Sequence, residues 1–408
     1  MIALANLSTE IRQYLIVTGN YWAFTLTDGA LRMLVVLHFH SLGYSPFSIA
    51  MLFLFYEIFG VITNLVGGWL GARLGLNRTM NTGLLLQIVA LAMLLVPLEW
   101  LTVVWVMAAQ ALSGIAKDLN KMSAKSAIKL LVPENAQGQL YKWVSILTGS
   151  KNALKGAGFF MGGVLLTALG FKGAVLAMAS MLILVWLFSI AKLKKELGKA
   201  KNKPKFSQLF SKSTAINWLS AARMFLFASR DVWLVVALPV YLASQFNWDH
   251  WTVGGFLALW IIGYGFVQTQ APNITGAKRG KHPDGKTAAL WALVMAGLPA
   301  LIAIALSNDS YTLISIVFGL LIFGFVFAIN SSVHSYLIVS YASNDGVSLD
   351  VGFYYMANAM GRLIGTLLSG WLYQAYGLEA CLWVSSAFLI LTFIISLALP
   401  KEGTAKPS

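Results

Sequence analysis

The chain has 408 residues, of which 58% are hydrophobic and 11% charged, with a formal net charge of +14 and a mean hydropathy of +0.74. A soluble domain of this length is about half apolar and roughly a quarter charged, so this composition excludes an ordinary soluble globular protein. The surplus of Lys and Arg reads first as the basic loops of a membrane protein and not as a nucleic-acid footprint, and a single cysteine, Cys381, leaves no internal disulfide and no thiolate metal centre.

Twelve apolar segments predict membrane-spanning helices at residues 13–39, 46–71, 79–98, 101–131, 140–168, 173–191, 213–242, 250–270, 286–306, 310–340, 349–376 and 378–399. Runs of about twenty apolar residues suit helices. Barrel strands alternate in polarity instead, and no other backbone satisfies its polar groups in lipid.

The first segment carries Asn20, Asp28 and Arg32. Asp28 and Arg32 are one turn apart and are expected to pair within the helix. The second holds Asn64 and Glu57, an isolated acid that admits two readings, a proton carrier or a partner for a cationic helix.

The fourth segment ends in a file of lysines spaced by four: Lys117, Lys121, Lys125 and Lys129. They follow about sixteen apolar residues, or ~24 Å of helix. Lys117 and Lys121 therefore read as cavity residues. Lys125 and Lys129, nearer Pro133, read as positive-inside decoration. Asp118, next to Lys117, is expected not to share the lysine face and to partner a cation on another span.

In the fifth segment, TGSKNALKGAGFFMGG, one helical face collects Thr148, Lys151, Asn152, Lys155 and Gly162. Lys151 lies about ten residues in, ~15 Å deep, beyond easy snorkelling. The seventh segment carries Arg223, Arg230 and Asp231. The tenth carries Asn330 and His334, a hydrogen-bonded wall residue or a proton relay. The eleventh places Asn358 one turn before Arg362.

The loops fix direction. Arg73 and Arg78, the block KLKKELGKAKNKPK (192–205), KRGKHPDGK (278–286) and the tail KEGTAKPS fall on one side, while the opposite loops hold one basic residue, Lys172. Both termini are therefore expected to be cytoplasmic. The basic stretch 192–212 reads as a solvated linker between an N-terminal bundle, 1–191, and a C-terminal bundle, 213–408.

The halves repeat. FTLTD ending at Asp28 matches FASRD ending at Asp231, and Lys155, Gly158, Gly163 and Gly170 map at one offset onto Arg362, Gly365, Gly370 and Gly377. Two pseudo-symmetric six-helix bundles resemble the major facilitator fold, an all-α membrane architecture, which implies a substrate site between the halves. On that basis Lys155 and Arg362 are expected to face a shared cavity. GGWLGARLGLNRTM resembles the facilitator signature, with Gly68, Leu70, Gly71, Arg73, Gly75 and Arg78 in or near register. Ala72 stands where that signature has an acid that helps latch the cytoplasmic gate, so a latch here must be built differently. GAGFFMGG resembles the drug/proton antiporter motif but lacks its proline, which counts against a drug exporter.

Eight in-span cations, Arg32, Lys117, Lys121, Lys151, Lys155, Arg223, Arg230 and Arg362, outnumber four acids, Asp28, Glu57, Asp118 and Asp231. Unpaired buried charge is costly, and arginine forks and lysine ammoniums suit phosphate-like oxyanions and carboxylates. The pattern points to a carrier of a small, multiply charged organic anion. Lys117, Lys121, Lys151, Asn152, Lys155, Arg223, Arg230, Asn358 and Arg362 are candidate substrate ligands. Asp28, Glu57, Asp118, Asp231 and His334 are candidates for proton coupling.

NYWAFTLTDGALRMLVVLHFHSLGYSP, ALSGIAKDLNKMSAKSAIKLLVP and SAARMFLFASRDVWLVVALPVYL resemble the ArsJ family of organoarsenical efflux permeases over nearly the whole chain. The resemblance implies a bacterial inner-membrane exporter in arsenate resistance. Its substrate would be 1-arseno-3-phosphoglycerate, made by a companion glyceraldehyde-3-phosphate dehydrogenase. An importer or exchanger of phosphate esters or carboxylates is the alternative. The sequence has no nucleotide-binding Gly-rich loop, His/Cys metal cluster or nucleophile elbow, so neither an enzyme nor a metal or other cofactor is expected.

Overall fold

The computed structural model of the chain describes residues 8–43, 52, 54–133, 136–193, 197–201, 205, 213–248, 250–276, 282–308 and 312–400. The tail KEGTAKPS and parts of both basic segments lie outside these residues, as does the expected start of the second span.

The described residues are helical: α1 Thr9–Ser41, α2 Leu54–Leu74, α3 Leu76–Met93, α4 Val103–Leu131, α5 Gln137–Lys192, α6 Thr214–Leu234, α7 Ala237–Phe246, α8 His250–Ile274, α9 Gly285–Ser307, α10 Thr312–Tyr341 and α11 Val347–Ser396. Among them, six stretches are long and apolar enough to cross a membrane: Gln137–Lys192, Thr214–Phe246, Thr252–Ile274, Gly285–Ser307, Thr312–Tyr341 and Val347–Ser396. The helices α1 to α4 are outside that set; α1 carries Asn20, Thr25 and Asp28, and α4 carries the four lysines. The expected seventh span is interrupted after Leu234 and resumes at Ala237.

Large apolar side chains are exposed on the outside of the helices, among them Val104, Phe160, Leu184, Phe266, Leu290, Phe318 and Leu367. Helices that are apolar on both the inner and outer faces belong in lipid.

The chain forms two compact units. The first comprises Met1–Leu140, Ser150–Phe210 and Ala342–Met356, and its core includes Phe24, Leu31, Leu34, Leu84, Leu91, Phe171 and Met178. The second comprises Tyr141–Gly149, Ser211–Tyr341 and Ala357–Ser408, around Leu226, Trp233, Phe323, Phe327, Leu382 and Leu389.

The repeat read from the sequence has a physical counterpart inside each unit. In the first, α5 packs on α1 so closely that a Cβ at Gly158 would lie 2.6 Å from the Leu26 carbonyl oxygen. In the second, α11 packs on α6, and a Cβ at Gly365 would lie 2.8 Å from the Ala228 carbonyl oxygen. Both long helices also break at the repeat-paired glycines: Gly170 has φ 66° and ψ 178°, Gly377 φ 79° and ψ −175°. Such a backbone is open almost only to glycine. Beyond the second break, the Cys381 thiol, fully buried, donates to the Gly377 carbonyl at 3.6 Å.

Within the first unit, the facilitator-like turn between α2 and α3 is braced without the missing acid. The Ser348 hydroxyl donates to the Gly68 carbonyl at 2.7 Å. A Cβ at Gly352 would stand 2.6 Å from the Asn64 carbonyl oxygen and 2.9 Å from the Gly68 Cα. The linker is more than a solvated tether here. Leu76 donates its backbone N–H to Leu197 at 2.8 Å, Ala200 donates to Ala72 at 2.8 Å, and Lys201 donates to the Asp345 carboxylate at 2.9 Å.

Candidate functional site

Each unit holds its own cluster of charged side chains in a largely buried setting. In the first, Tyr56 of α2 is the hub. Its hydroxyl donates to the Asp28 carboxylate, 2.8 and 3.0 Å from the two oxygens. The Lys117 ammonium sits 3.7 Å from the centre of its ring, and the Arg32 guanidinium 4.9 Å from it. An aromatic face attracts such cations by about 0.5–2 kcal/mol each, more as water is excluded. Arg32 in turn pairs with Glu57 at 3.2 Å.

One turn along α4, Lys121 binds Asp118 at 2.6 Å and lies 4.7 Å from the Tyr355 ring centre, with Lys125 at 5.2 Å from the same ring. Asp118, Lys125, Tyr56 and Tyr355 are all buried. Lys151, Asn152 and Lys155 of α5 are half-buried, as is Lys129 near the end of α4.

Three expectations change here. Arg32 pairs with Glu57 across helices while Asp28 takes the Tyr56 hydroxyl, so the intrahelical Asp28–Arg32 pair gives way to partners with better geometry. Glu57 partners Arg32 in this structure. Asp118 does share a face with a lysine, because residues three apart on a helix are neighbours. Lys125 is only 3% exposed and packs inside the unit, so it is not decoration.

The second cluster is built by α6, α10 and α11. Arg223, 3% exposed, donates its Nε to the Asn358 Oδ1 at 2.9 Å, and its Nη1 to the Ser331 carbonyl and hydroxyl, both at 3.1 Å. Its guanidinium lies 4.0 Å from the centre of the Phe227 ring. Arg230 lies near two rings, 4.7 Å from Phe227 and 5.3 Å from Phe327. Asp231, wholly buried, bridges two arginines: Arg230 at 2.6 Å and Arg362 at 3.4 Å. Asn330 and His334 of α10 are also wholly buried.

The structure therefore brings Arg223, Arg230, Asp231, Asn358 and Arg362 into one cluster, and Asp28, Glu57, Lys117, Asp118 and Lys121 into another. Sequence reasoning missed Tyr56, Tyr355, Phe227 and Ser331. Only the adjacency of Tyr56 to Glu57, and the spacing of Phe227 between Arg223 and Arg230, offered a signal for two of them.

A multi-helix membrane protein with charged side chains gathered inside each unit defines the class of a solute transporter. The profile described as Major Facilitator Superfamily matches residues 15–349, and the chain belongs to that family. No curated protein matches the chain. Among solved structures, the human organic anion transporter MFSD10 (TETRAN) superposes with a TM-score of 0.76 at 16% identity, covering 96% of this chain and 100% of that one. The E. coli fucose:proton symporter FucP gives 0.72 at 13% identity, over 96% and 99%. A bacterial homologue of the iron transporter ferroportin in an outward-facing state gives 0.73 at 15%, also over 96% and 99%. These likenesses establish a shared fold. The chain is a multi-pass membrane transporter of this superfamily.

Proposed function

We propose that the chain is a secondary exporter of a small organic polyanion, best matched by 1-arseno-3-phosphoglycerate, working by alternating access in a bacterial inner membrane. The observation that carries the charge class is the second cluster. Arg223 and Arg230 of α6 and Arg362 of α11 gather about Asp231 of α6, a single carboxylate that pairs with two of them. In a setting of low effective dielectric that net positive charge favours an anion far more than water would allow. Arginine forks match phosphate-like oxygens. The organic anion transporter among the solved relatives is consistent with this class. The arsenical identity rests on the ArsJ resemblance, as does the supply of substrate by a glyceraldehyde-3-phosphate dehydrogenase.

Breaks at Gly170 and Gly377 divide α5 and α11 into two helical segments each, which supports the reading of twelve crossings. The loop charges support cytoplasmic termini.

The direct test is arsenate tolerance of cells that carry the dehydrogenase, with and without this chain. Tolerance that rises only when both are present, with arsenic appearing outside the cell as an organic ester, is the expected result. Counterflow in vesicles separates an exchanger, which needs an anion on the opposite face, from a proton antiporter, which needs only a pH gradient; the direction of net flux separates an importer.

A second expectation concerns the lysines. Lys117→Gln, Lys121→Gln and Lys125→Gln should each reduce export by about tenfold, the ratio that ~1.4 kcal/mol gives. Lys129→Gln should change it less than about twofold. Export rates at matched membrane abundance check this, and equal small effects at all four sites would assign the file to loop-charge decoration.

A further inference from the structure

One stripe of α10 runs Phe327, Asn330, Ser331 and His334, the spacing of a single helical face. Ser331 is accounted for: its carbonyl and hydroxyl both accept from Arg223. Asn330 and His334, on either side of it, are not. Both side chains are 0% exposed. Among the described residues, Asn330 Nδ2 and Oδ1 and His334 Nδ1 and Nε2 have no hydrogen-bond partner. Most buried polar side chains in folded proteins are hydrogen-bonded, and each one that is not calls for an explanation. Here two lie one turn apart, flanking a serine that holds a buried arginine.

The kinds of atom involved identify what would satisfy them. The carboxamide offers donors on Nδ2 and an acceptor on Oδ1, and a neutral imidazole offers one donor and one acceptor. A phosphate or carboxylate oxygen only accepts, so it would serve the two donors and leave both acceptors buried and unmet. A hydroxyl group both donates and accepts, and satisfies the two kinds of atom together. Arg223, held beside the stripe by Ser331 and Asn358, is the adjacent cation for an anionic end.

We propose that Asn330 and His334 bind the hydroxyl-bearing carbon spine of a substrate whose anionic group is held by Arg223, so that this stripe selects hydroxylated anions over deoxy anions of equal charge. The inference rests on the polyanion reading and deepens it by naming the part of the substrate that the arginines do not read. Burial of the stripe means that a substrate reaches it through the conformational cycle.

The test uses the purified full-length protein and three probes, with ligand-induced rise in melting temperature as the readout. They are 3-phosphoglycerate, its 2-deoxy analogue 3-(phosphonooxy)propanoate, and the neutral polyol arabitol. Wild type should respond to the hydroxylated anion at a concentration at least about tenfold below the deoxy analogue, because a site built around a hydroxyl rejects the analogue that lacks it. In Asn330→Leu and His334→Phe that ratio should fall below about threefold. His334→Gln, which keeps a donor and an acceptor, should retain it. The melting temperature without ligand reports folding of each variant.

If the two apolar variants melt higher than wild type and keep its ratio, the stripe is an orphaned packing feature and the inference is overturned. Equal response of wild type to both anions also overturns it, while leaving the polyanion reading in place. Response to arabitol alone overturns the inference together with the polyanion reading, because the inference requires an anionic end at Arg223. No response to any probe overturns both.

Discussion

Asp231→Asn should be among the most destabilising single substitutions in the second cluster, lowering stability by about 3–5 kcal/mol. The side chain is 1% exposed and accepts from both Arg230 and Arg362, whose own side chains are 17% and 33% exposed. Removing the carboxylate charge leaves two guanidinium groups facing each other across an amide, and the deeper of them has little water to fall back on. The expected reading is a melting temperature on the order of 5 °C lower or more for the purified protein. Adding Arg362→Gln to the same chain should recover at least part of that loss, because one of the two stranded charges is then gone. Recovery of this kind is the signature of coupled neighbours in a double-mutant cycle. An unchanged melting temperature in the single variant would show that Asp231 is not the resident counter-ion of these arginines.

The second large effect is expected at Gly352, where α11 crosses α2. Any Cβ there meets the Asn64 carbonyl oxygen at 2.6 Å and the Gly68 Cα at 2.9 Å. Both obstacles are backbone, so no side-chain rotation relieves the clash and one helix must move. Overpacking of this kind costs about 1–3 kcal/mol. The state that contains the contact is then disfavoured by about fivefold to a hundredfold. Gly352→Val is expected to cut the transport rate accordingly while the protein still reaches the membrane. Gly370→Ala on the same helix, where a Cβ would meet nothing within 4 Å, should behave as wild type. Ser348→Ala, which removes only the hydroxyl bond to Gly68, should fall between them, at about 1 kcal/mol. Normal transport by Gly352→Val would show that the close approach of α2 and α11 plays no part in the cycle.

The sequence made some of this legible and hid the rest for definable reasons. The repeat could be read because it rests on glycine, and the demand for glycine at Gly170 and Gly377 is a local backbone property. The in-span charges could be read because charge is rare in lipid, and each unit does collect them. Their partners could not be read. Tyr56 joins Asp28 and Lys117, residues from three helices, and nothing in the spacing of one helix announces that.

The lysine file shows the limit most plainly. Depth along α4 separated Lys121 from Lys125, but burial depends on which face meets a neighbour, and Tyr355 from a distant part of the chain approaches both. The missing acid at Ala72 was visible in the signature. What braces that turn instead lies 280 residues away, in the pairing of Ser348 with Gly68.

The single cysteine has a practical consequence. Cys381 is wholly buried, and its thiol is directed at the carbonyl of the glycine where α11 breaks. A water-soluble maleimide has no path to it in this conformer. The wild-type chain is thus already a silent background for site-directed labelling, without the usual replacement of native cysteines. A fluorophore or spin label placed at Ala200, on the linker segment that touches Ala72, would report whether that strand lifts away during turnover. The reporter would sit in a protein otherwise unaltered.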